Sequence, residues 1–339
     1  MIEECLKRCD HLYLFLSFDQ KFVDTQPSGL QEKLSLIYRL RDLKDLVSNS
    51  PEHVRSRITV SYVDESDIPT YPEGSSAYAQ LIREALPSGV VLSKAFSSEI
   101  EYGEYFSEFF PECEHVVIDA ERKTVAISAT QVRNAVFDNY GMLSGPAKKR
   151  FVKKVAIVGV ESTGKSTLTG LLAKHFQARY TPEVGREICE EEFHASEALM
   201  QREDYLRVAM EHRAEEIEKV NRSPVGVVFS DTTNLITHFS AVCSGNVWED
   251  DPLFSALSKE EGDNFYDLIL YLQPDVPWVE DPLRLQNTPE KREETNKLLA
   301  AMIYTAYNKE KVVIIAGSSY EERFQMALSA VNNLLTNQH

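Results

Sequence analysis

The sequence predicts an α/β protein of two domains, each built on a parallel sheet with helices wound over both faces. Its 339 residues are about twice the length of a typical domain. Short apolar runs alternate with amphipathic stretches along the whole chain, as strands and covering helices do in doubly wound folds. A segment with glycine, proline and lysine interrupts this alternation near residue 150, so we place the domains at 1–146 and 152–339.

In the first half, a helical stretch over 1–9 precedes a buried strand over 12–18. The remaining predicted elements are a helix over 31–47, a strand over 58–63, a helix over 75–85, short strands at 90–92 and 116–118, and a helix that begins near 127. We interpret residues 139–146, with the basic residues that follow, as the linker between the domains.

The second half contains four continuous apolar runs of strand length, with helical stretches between them. They cover residues 155–158, 225–229, 268–272 and 312–316, and a further short strand is predicted at 178–181. Ligands of doubly wound domains bind at the carboxyl ends of the strands, so the residues after each run are the candidates for a site.

A phosphate-binding loop follows the first of these runs. Residues 159–166 read Gly-Val-Glu-Ser-Thr-Gly-Lys-Ser, which matches the G-x-x-x-x-G-K-[ST] pattern between a strand and a helix. Lys165 is expected to neutralise the β- and γ-phosphates of ATP and Ser166 to bind Mg²⁺. The candidate nucleotide-binding residues are Gly159, Glu161, Ser162, Thr163, Gly164, Lys165, Ser166 and Thr167.

Further candidates for phosphoryl transfer follow the other strands. Asp231 stands where a second metal ligand or a base for the acceptor would lie, although an N-cap is the alternative. Glu183 and Arg186 would face the acceptor, or form a surface ion pair. Arg284 and Arg292 are typical of a lid that closes over the transferring phosphoryl group, or are solvated surface arginines.

Composition limits the partners of the chain. The 36 Lys and Arg residues against 53 Asp and Glu give a net charge of −17, which disfavours nucleic acids and anionic membranes. The five cysteines form no C-x-x-C pair, so a disulfide framework or a zinc site is not expected. No run of about 18 apolar residues and no export signal is present, which predicts a cytoplasmic protein whose oligomeric state stays open.

The segment Ile-Ser-Ala-Thr-Gln-Val-Arg at 127–133 places two hydroxyls at a helix start and an arginine one turn later. Ser128, Thr130 and Arg133 could therefore hold a triphosphate, although serine and threonine are also ordinary helix caps. The segment resembles the I-S-x-T-x-x-R signature of nicotinamide-nucleotide adenylyltransferases. Together with the phosphate loop, residues 183–187 and residues 230–233, it makes nearly the whole chain similar to the NadR-type bifunctional family.

This resemblance implies a nucleotidyltransferase-like Rossmann domain followed by a P-loop ribosylnicotinamide kinase domain. The kinase would phosphorylate nicotinamide riboside with ATP and Mg²⁺ to nicotinamide mononucleotide. The first domain would transfer AMP from ATP to the mononucleotide, which gives NAD. The small-molecule partners implied are nicotinamide riboside, nicotinamide mononucleotide, ATP and NAD.

The sequence departs from the family pattern at two places. The H-x-G-H element is missing, because Met1 falls within the helix that would follow it, and His11 does not replace it. We therefore expect impaired adenylyl transfer, or a start about 20 residues upstream. Pro182 stands where an aromatic could stack on the nicotinamide ring. The aromatic candidates for that role are Tyr180, Tyr205, Phe239 and Trp278.

Two other functions agree with the same residues. The phosphate loop and Asp231 also suit a kinase for another small substrate with a hydroxyl group. Alternatively, the first domain binds NAD or ATP without turnover and regulates the second domain or a partner.

Overall fold

The computed structural model describes residues 1–121, 123, 126–277 and 289–336. The chain divides into two compact units, of which the first comprises Met1–Arg150 and the second begins at Phe151. Helices alternate with strands in both units, and every strand pairing in the described ranges is parallel. The predicted α/β class is confirmed.

The described residues of the first unit form four strands in two parallel pairs. Strands β1 (Leu12–Phe18) and β2 (Ile58–Asp64) pair in register, and so do β3 (Lys94–Ser97) and β4 (Glu114–Val117). Its helices are α1 (Ile2–Leu6), α2 (Gln20–Asp24), α3 (Ser28–Gln31), α4 (Leu36–Ser48), α5 (Glu52–Arg55), α6 (Ser75–Ala85), α7 (Tyr102–Phe109), α8 (Ala129–Asn134) and α9 (Gly145–Phe151).

Two sequence predictions for this unit are wrong. Residues 90–92 form no strand, and Val91 is 82% exposed. They follow a turn in which Gly89 has a φ of +85°, and the pairing with β4 begins only at Lys94. A short valine-rich run after such a turn has no sheet partner to bury it.

The predicted linker at 139–146 is ordered structure. A 3₁₀ turn (Tyr140–Met142) leads into α9, and the buried Tyr140 hydroxyl donates to the carbonyl oxygen of Lys148 over 3.0 Å. Arg150 pairs with Asp42 of α4 at 2.6 Å, and both side chains are mostly buried. Arg150 therefore anchors the end of α9 within the first unit.

The second unit is built on one five-stranded parallel sheet in the order β6-β7-β5-β8-β9. Its strands are β5 (Lys153–Val158), β6 (Arg179–Thr181), β7 (Val227–Asp231), β8 (Leu268–Leu272) and β9 (Val312–Ile315). Its helices are α10 (Lys165–Phe176), α11 (Val184–Glu192), α12 (Arg202–Asn221), α13 (Asn234–Cys243), α14 (Pro252–Glu260), α15 (Pro289–Ala306) and α16 (Tyr320–Thr336).

Alternate residues of the central strand β5 enter two different cores. Ile157 packs on the side of α10 and α16, whereas Val158 packs on the side of α13 and α15. Both faces of the sheet are buried, which explains why its strands read as continuous apolar runs. The phosphate loop therefore begins at the carboxyl end of β5, between the two layers of helices that cover the sheet. No helix among the described residues is long and apolar enough to cross a membrane.

Candidate phosphate and acceptor site

The phosphate loop spans the six residues between β5 and α10. Gly164 has a φ of +83°, a conformation that favours glycine. At Gly159, a Cβ would lie 2.8 Å from Thr163 Oγ1 and 2.9 Å from the carbonyl oxygen of Leu272. The buried Thr163 hydroxyl donates to the carbonyl oxygen of Val160 over 2.8 Å. Both glycines are therefore needed for the turn.

The loop opens into a cavity of about 370 Å³. Its lining includes residues 161–167, Glu183 and Arg186, so the structure brings the predicted loop and acceptor residues together. Lys165 lies across the loop, and its Nζ donates to the carbonyl oxygen of Val160 over 3.3 Å. Helix α10 begins at this lysine, so its positive end and the ammonium group face the same cavity. The cavity suits a chain of phosphates.

Asp231 ends β7, and strand register pairs it with Ile157 of β5 beside the loop. The side chain is 3% exposed, and its Oδ1 has no hydrogen-bond partner among the described residues. Burial, and then the Glu183 carboxylate, raise the pKa of Asp231 to about 6, against Lys165 and a hydrogen bond from Ser166. Thr233 caps α13, so the N-cap alternative for Asp231 is wrong.

A second, smaller cavity shares Glu183 and Glu197 with the first. Its other lining residues include Tyr205, Thr232 and Ser240. Glu183 is the N-cap residue of α11, and it lines both the cavity of the phosphate loop and this smaller cavity. Arg186 pairs with Glu190 over 2.9 Å, and both side chains are about half exposed, so its role towards the acceptor stays a prediction.

The predicted lid arginines fall in different places. Arg284 lies outside the described residues. Arg292 is on α15, 4% exposed, and its guanidinium donates to the carbonyl oxygens of Val276 at 2.9 Å and Ser162 at 3.2 Å. In this position Arg292 braces the back of the phosphate loop, which differs from the expected closure over the phosphoryl group.

A second buried arginine, which the sequence analysis missed, holds the same loop. Arg323 of α16 is 2% exposed and donates to the carbonyl oxygens of Thr163, Gln273 and Gly317 over 2.6–2.8 Å. It also pairs with Asp275. One guanidinium therefore fixes the phosphate loop to the segments that follow β8 and β9.

We expect Arg323→Lys to lower the free energy of unfolding of the second unit by about 1–2 kcal/mol, because one ammonium cannot satisfy three separated carbonyl oxygens. The KM for ATP should rise several-fold, since the loop loses its anchor at Thr163. Urea denaturation and initial rates against ATP measure these effects. Gln325→Ala is the control, because Gln325 is exposed on the same helix and, within the described part of the chain, its side chain bonds only to the exposed Glu321. An unchanged KM would contradict the assignment.

The predicted triphosphate residues of the first unit form a helix start. Ser128 caps α8 in a capping box with Gln131, with distances of 3.2 and 2.8 Å. Arg133 donates to Thr130 Oγ1 over 3.1 Å. These contacts match the capping alternative, and a triphosphate role stays a prediction.

A separate cavity of about 490 Å³ lies at the carboxyl ends of β1 and β3 in the first unit. Its walls are largely aromatic, with tyrosine at 71, 78, 102 and 105 and phenylalanine at 96 and 106. Asp19 and Glu65 add carboxylates at its rim. Residues 128–133 do not line it.

The aromatic residues predicted as candidates for contact with the nicotinamide ring differ in burial and location. Phe239 is buried in the core, Tyr205 is buried beside the smaller cavity, and Tyr180 is 43% exposed. Trp278 lies outside the described residues. Tyr320, which sequence reasoning did not single out, lines the phosphate cavity, and its ring would lie 2.9 Å from a Cβ at Gly164.

The chain is similar in sequence and in fold to known proteins. The model of the AAA domain family matches residues 154–323. The chain is 26% identical to the trifunctional NAD biosynthesis/regulator protein NadR of Escherichia coli (strain K12) and 27% to that of Salmonella typhimurium (strain LT2). Each alignment spans 345 residues and covers 100% of this chain and 80% of the relative.

Two solved structures are similar over almost the whole chain. A NadR protein in complex with NR has a TM-score of 0.73 at 26% identity, with 98% of this chain and 91% of that chain covered. A NadR protein in complex with NAD and AMP-PNP has a TM-score of 0.72 at 26% identity, with 99% and 91% covered.

Proposed function

This chain belongs to the AAA domain family and is a NadR-type protein, and on that premise we propose that it phosphorylates nicotinamide riboside with ATP. The product is nicotinamide mononucleotide, so the chain acts in NAD salvage. The observation that carries this proposal is that the buried Asp231 lies beside a complete phosphate loop, whose cavity is also lined by Glu183.

The loop and Lys165 bind the phosphates of ATP in this proposal. The Lys165 ammonium neutralises charge on the β- and γ-phosphates, and the N–H groups at the start of α10 hold the same oxygens. These positive groups stabilise the transition state of phosphoryl transfer electrostatically. The reaction depends mainly on such stabilisation and on positioning, because the protein forms no covalent bond in it.

Ser166 and Asp231 fit a Mg²⁺ ion. Asp231 Oδ1 is buried and has no partner among the described residues, and the Ser166 hydroxyl is in hydrogen-bond contact with the same carboxylate. Magnesium prefers such hard oxygen ligands together with phosphate and water, and when bound it would neutralise phosphate charge. Asp231 also orients the acceptor hydroxyl or takes its proton.

Glu183 and Arg186 hold the riboside. Glu183 lines both cavities and its carboxylate accepts hydrogen bonds from ribose hydroxyls, whereas Arg186 lines the phosphate cavity alone. Arg292 keeps the loop in place from behind through the Ser162 carbonyl, and Arg284 is the remaining candidate for closure over the phosphoryl group. Residues 152–339 then constitute the kinase domain.

Residues 1–146 are the adenylyltransferase-like domain in this proposal, which converts the mononucleotide and ATP to NAD. Its aromatic cavity supports binding of a ring-bearing nucleotide. The five free cysteines support the reducing cytoplasm as its location.

The experiment is to incubate the chain with ATP, Mg²⁺ and nicotinamide riboside and to identify the products by mass spectrometry. Nicotinamide mononucleotide is the expected product, and NAD formed as well would support adenylyl transfer by residues 1–146. The absence of any phosphorylated riboside would contradict the kinase. Competition by other nucleosides distinguishes a kinase for another hydroxyl substrate.

A further inference from the structure

We propose that Glu197 selects acceptors that carry a fixed positive charge, because it places a carboxylate at the junction of the phosphate cavity and the second, smaller cavity, which we call the acceptor cavity. This inference rests on the proposed kinase function and names the feature of the acceptor that the site reads.

The backbone places Glu197 at this junction. It begins a 3₁₀ turn, Glu197–Leu199, in the connection from α11 to α12. His194 and Ala195, just before it, have φ values of +51° and +61°, which non-glycine residues rarely adopt. The next residue after the turn, Met200, is 2% exposed and anchors the segment in the core. Glu197 lines both cavities as a result.

The surroundings of Glu197 are rich in carboxylates. Burial, and then Glu161 and Glu183, raise the pKa of Glu197 to about 7, and only Lys165 opposes them. No lysine or arginine among the described residues forms an ion pair with Glu197. A partly buried carboxylate without such a partner favours a positive charge from a ligand.

Thr232 supplies an independent sign of a ligand at the same place. It has a φ of +93°, it is 4% exposed, and its hydroxyl has no hydrogen-bond partner among the described residues. Thr232 lines the acceptor cavity together with Glu183 and Glu197. Buried hydroxyls are normally paired, and backbone strain is found at ligand sites, so this group is positioned for a polar atom of the acceptor.

Among the described residues, the lining of the acceptor cavity thus offers two carboxylates and several hydroxyls but no lysine or arginine. Nicotinamide riboside has a quaternary ring nitrogen and is a cation at every pH. Its 1,4-dihydro form has the same ribose and carboxamide but no ring charge. The pair therefore varies charge at nearly constant shape.

The test is the ratio of kcat/KM for the cationic riboside to kcat/KM for its dihydro form, measured on the full chain with ATP and Mg²⁺. We expect the unaltered chain to favour the cation at least about tenfold, and Glu197→Gln to reduce this ratio about tenfold. Glu203→Gln is the matched control, because Glu203 is exposed on the first turn of α12. It should leave the ratio unchanged. Partial unfolding of a variant lowers both rates equally and does not change the ratio.

Three results would overturn the inference. In the first, the unaltered chain uses both ribosides equally well, which leaves the kinase function intact. In the second, Glu197→Gln lowers both values equally or raises the Mg²⁺ requirement for both acceptors, which would make Glu197 a general phosphate-site residue. In the third, neither riboside is phosphorylated, and then the proposed kinase function fails as well.

Discussion

Replacing Lys165 with alanine is expected to lower kcat for riboside phosphorylation by about 10²- to 10³-fold, which is the usual effect of removing one preorganised group from a charged transition state. The Lys165 ammonium lines the phosphate cavity at the start of α10, where charge accumulates during transfer. Coupled detection of ADP and mass spectrometry of the mononucleotide measure the loss.

Lys174→Ala is the control for this variant. Lys174 lies on the last turn of the same helix, and its side chain is exposed. Removing it changes the charge of α10 by the same amount but leaves the cavity intact, so kcat should be unchanged. If the Lys165 variant kept more than about a tenth of the original kcat, Lys165 would not have the role that we assign.

Replacing Glu261 with alanine is expected to lower the free energy of unfolding of the second unit by about 3–5 kcal/mol, the range observed when one partner of a buried ion pair is removed. Glu261 is fully buried after α14. It accepts from the backbone N–H groups of Asn234 at 3.0 Å and Leu235 at 2.9 Å, and from the Tyr307 hydroxyl at 2.7 Å. Its loss leaves the start of α13 and Arg213 without this carboxylate.

Glu260→Ala is a closely matched control. Glu260 is the neighbouring residue, lies 3.7 Å from the same Arg213 and is 59% exposed, so its removal should cost less than about 0.5 kcal/mol. Urea denaturation followed by the loss of α-helical circular dichroism compares the two. Equal destabilisation by both variants would mean that burial of Glu261 does not matter to the fold.

The phosphate site could be predicted from the sequence, because the loop motif and the strand and helix around it are all visible in adjacent residues. The run at 155–158 is buried on both faces, and the motif that follows requires a strand before it and a helix after it. Asp231 was found by the same logic, since adjacent parallel strands end at one edge of the sheet.

The roles of other residues depend on contacts between distant segments. Arg292 reaches the carbonyl oxygen of Ser162 across 130 residues of sequence, and no local pattern separates it from a surface arginine. The positions of Glu197 and Thr232 were equally hard to predict. Neither the 3₁₀ turn of Glu197 nor the positive φ of Thr232 produces a periodic pattern in the sequence. Residues 90–92 are wrong for the opposite reason. Their valines favour a strand locally, but no neighbouring strand pairs with them.

The contact from Arg323 to Thr163 joins residues 160 positions apart. Loop closure over such a distance is entropically costly, so native contacts of this length form late when a chain folds. The β5–α10 segment can acquire its secondary structure early, but its loop reaches the final shape only when α16 docks. Competence to bind a nucleotide should therefore develop after most of the helical signal during refolding, and it should be the first property lost when α16 is loosened.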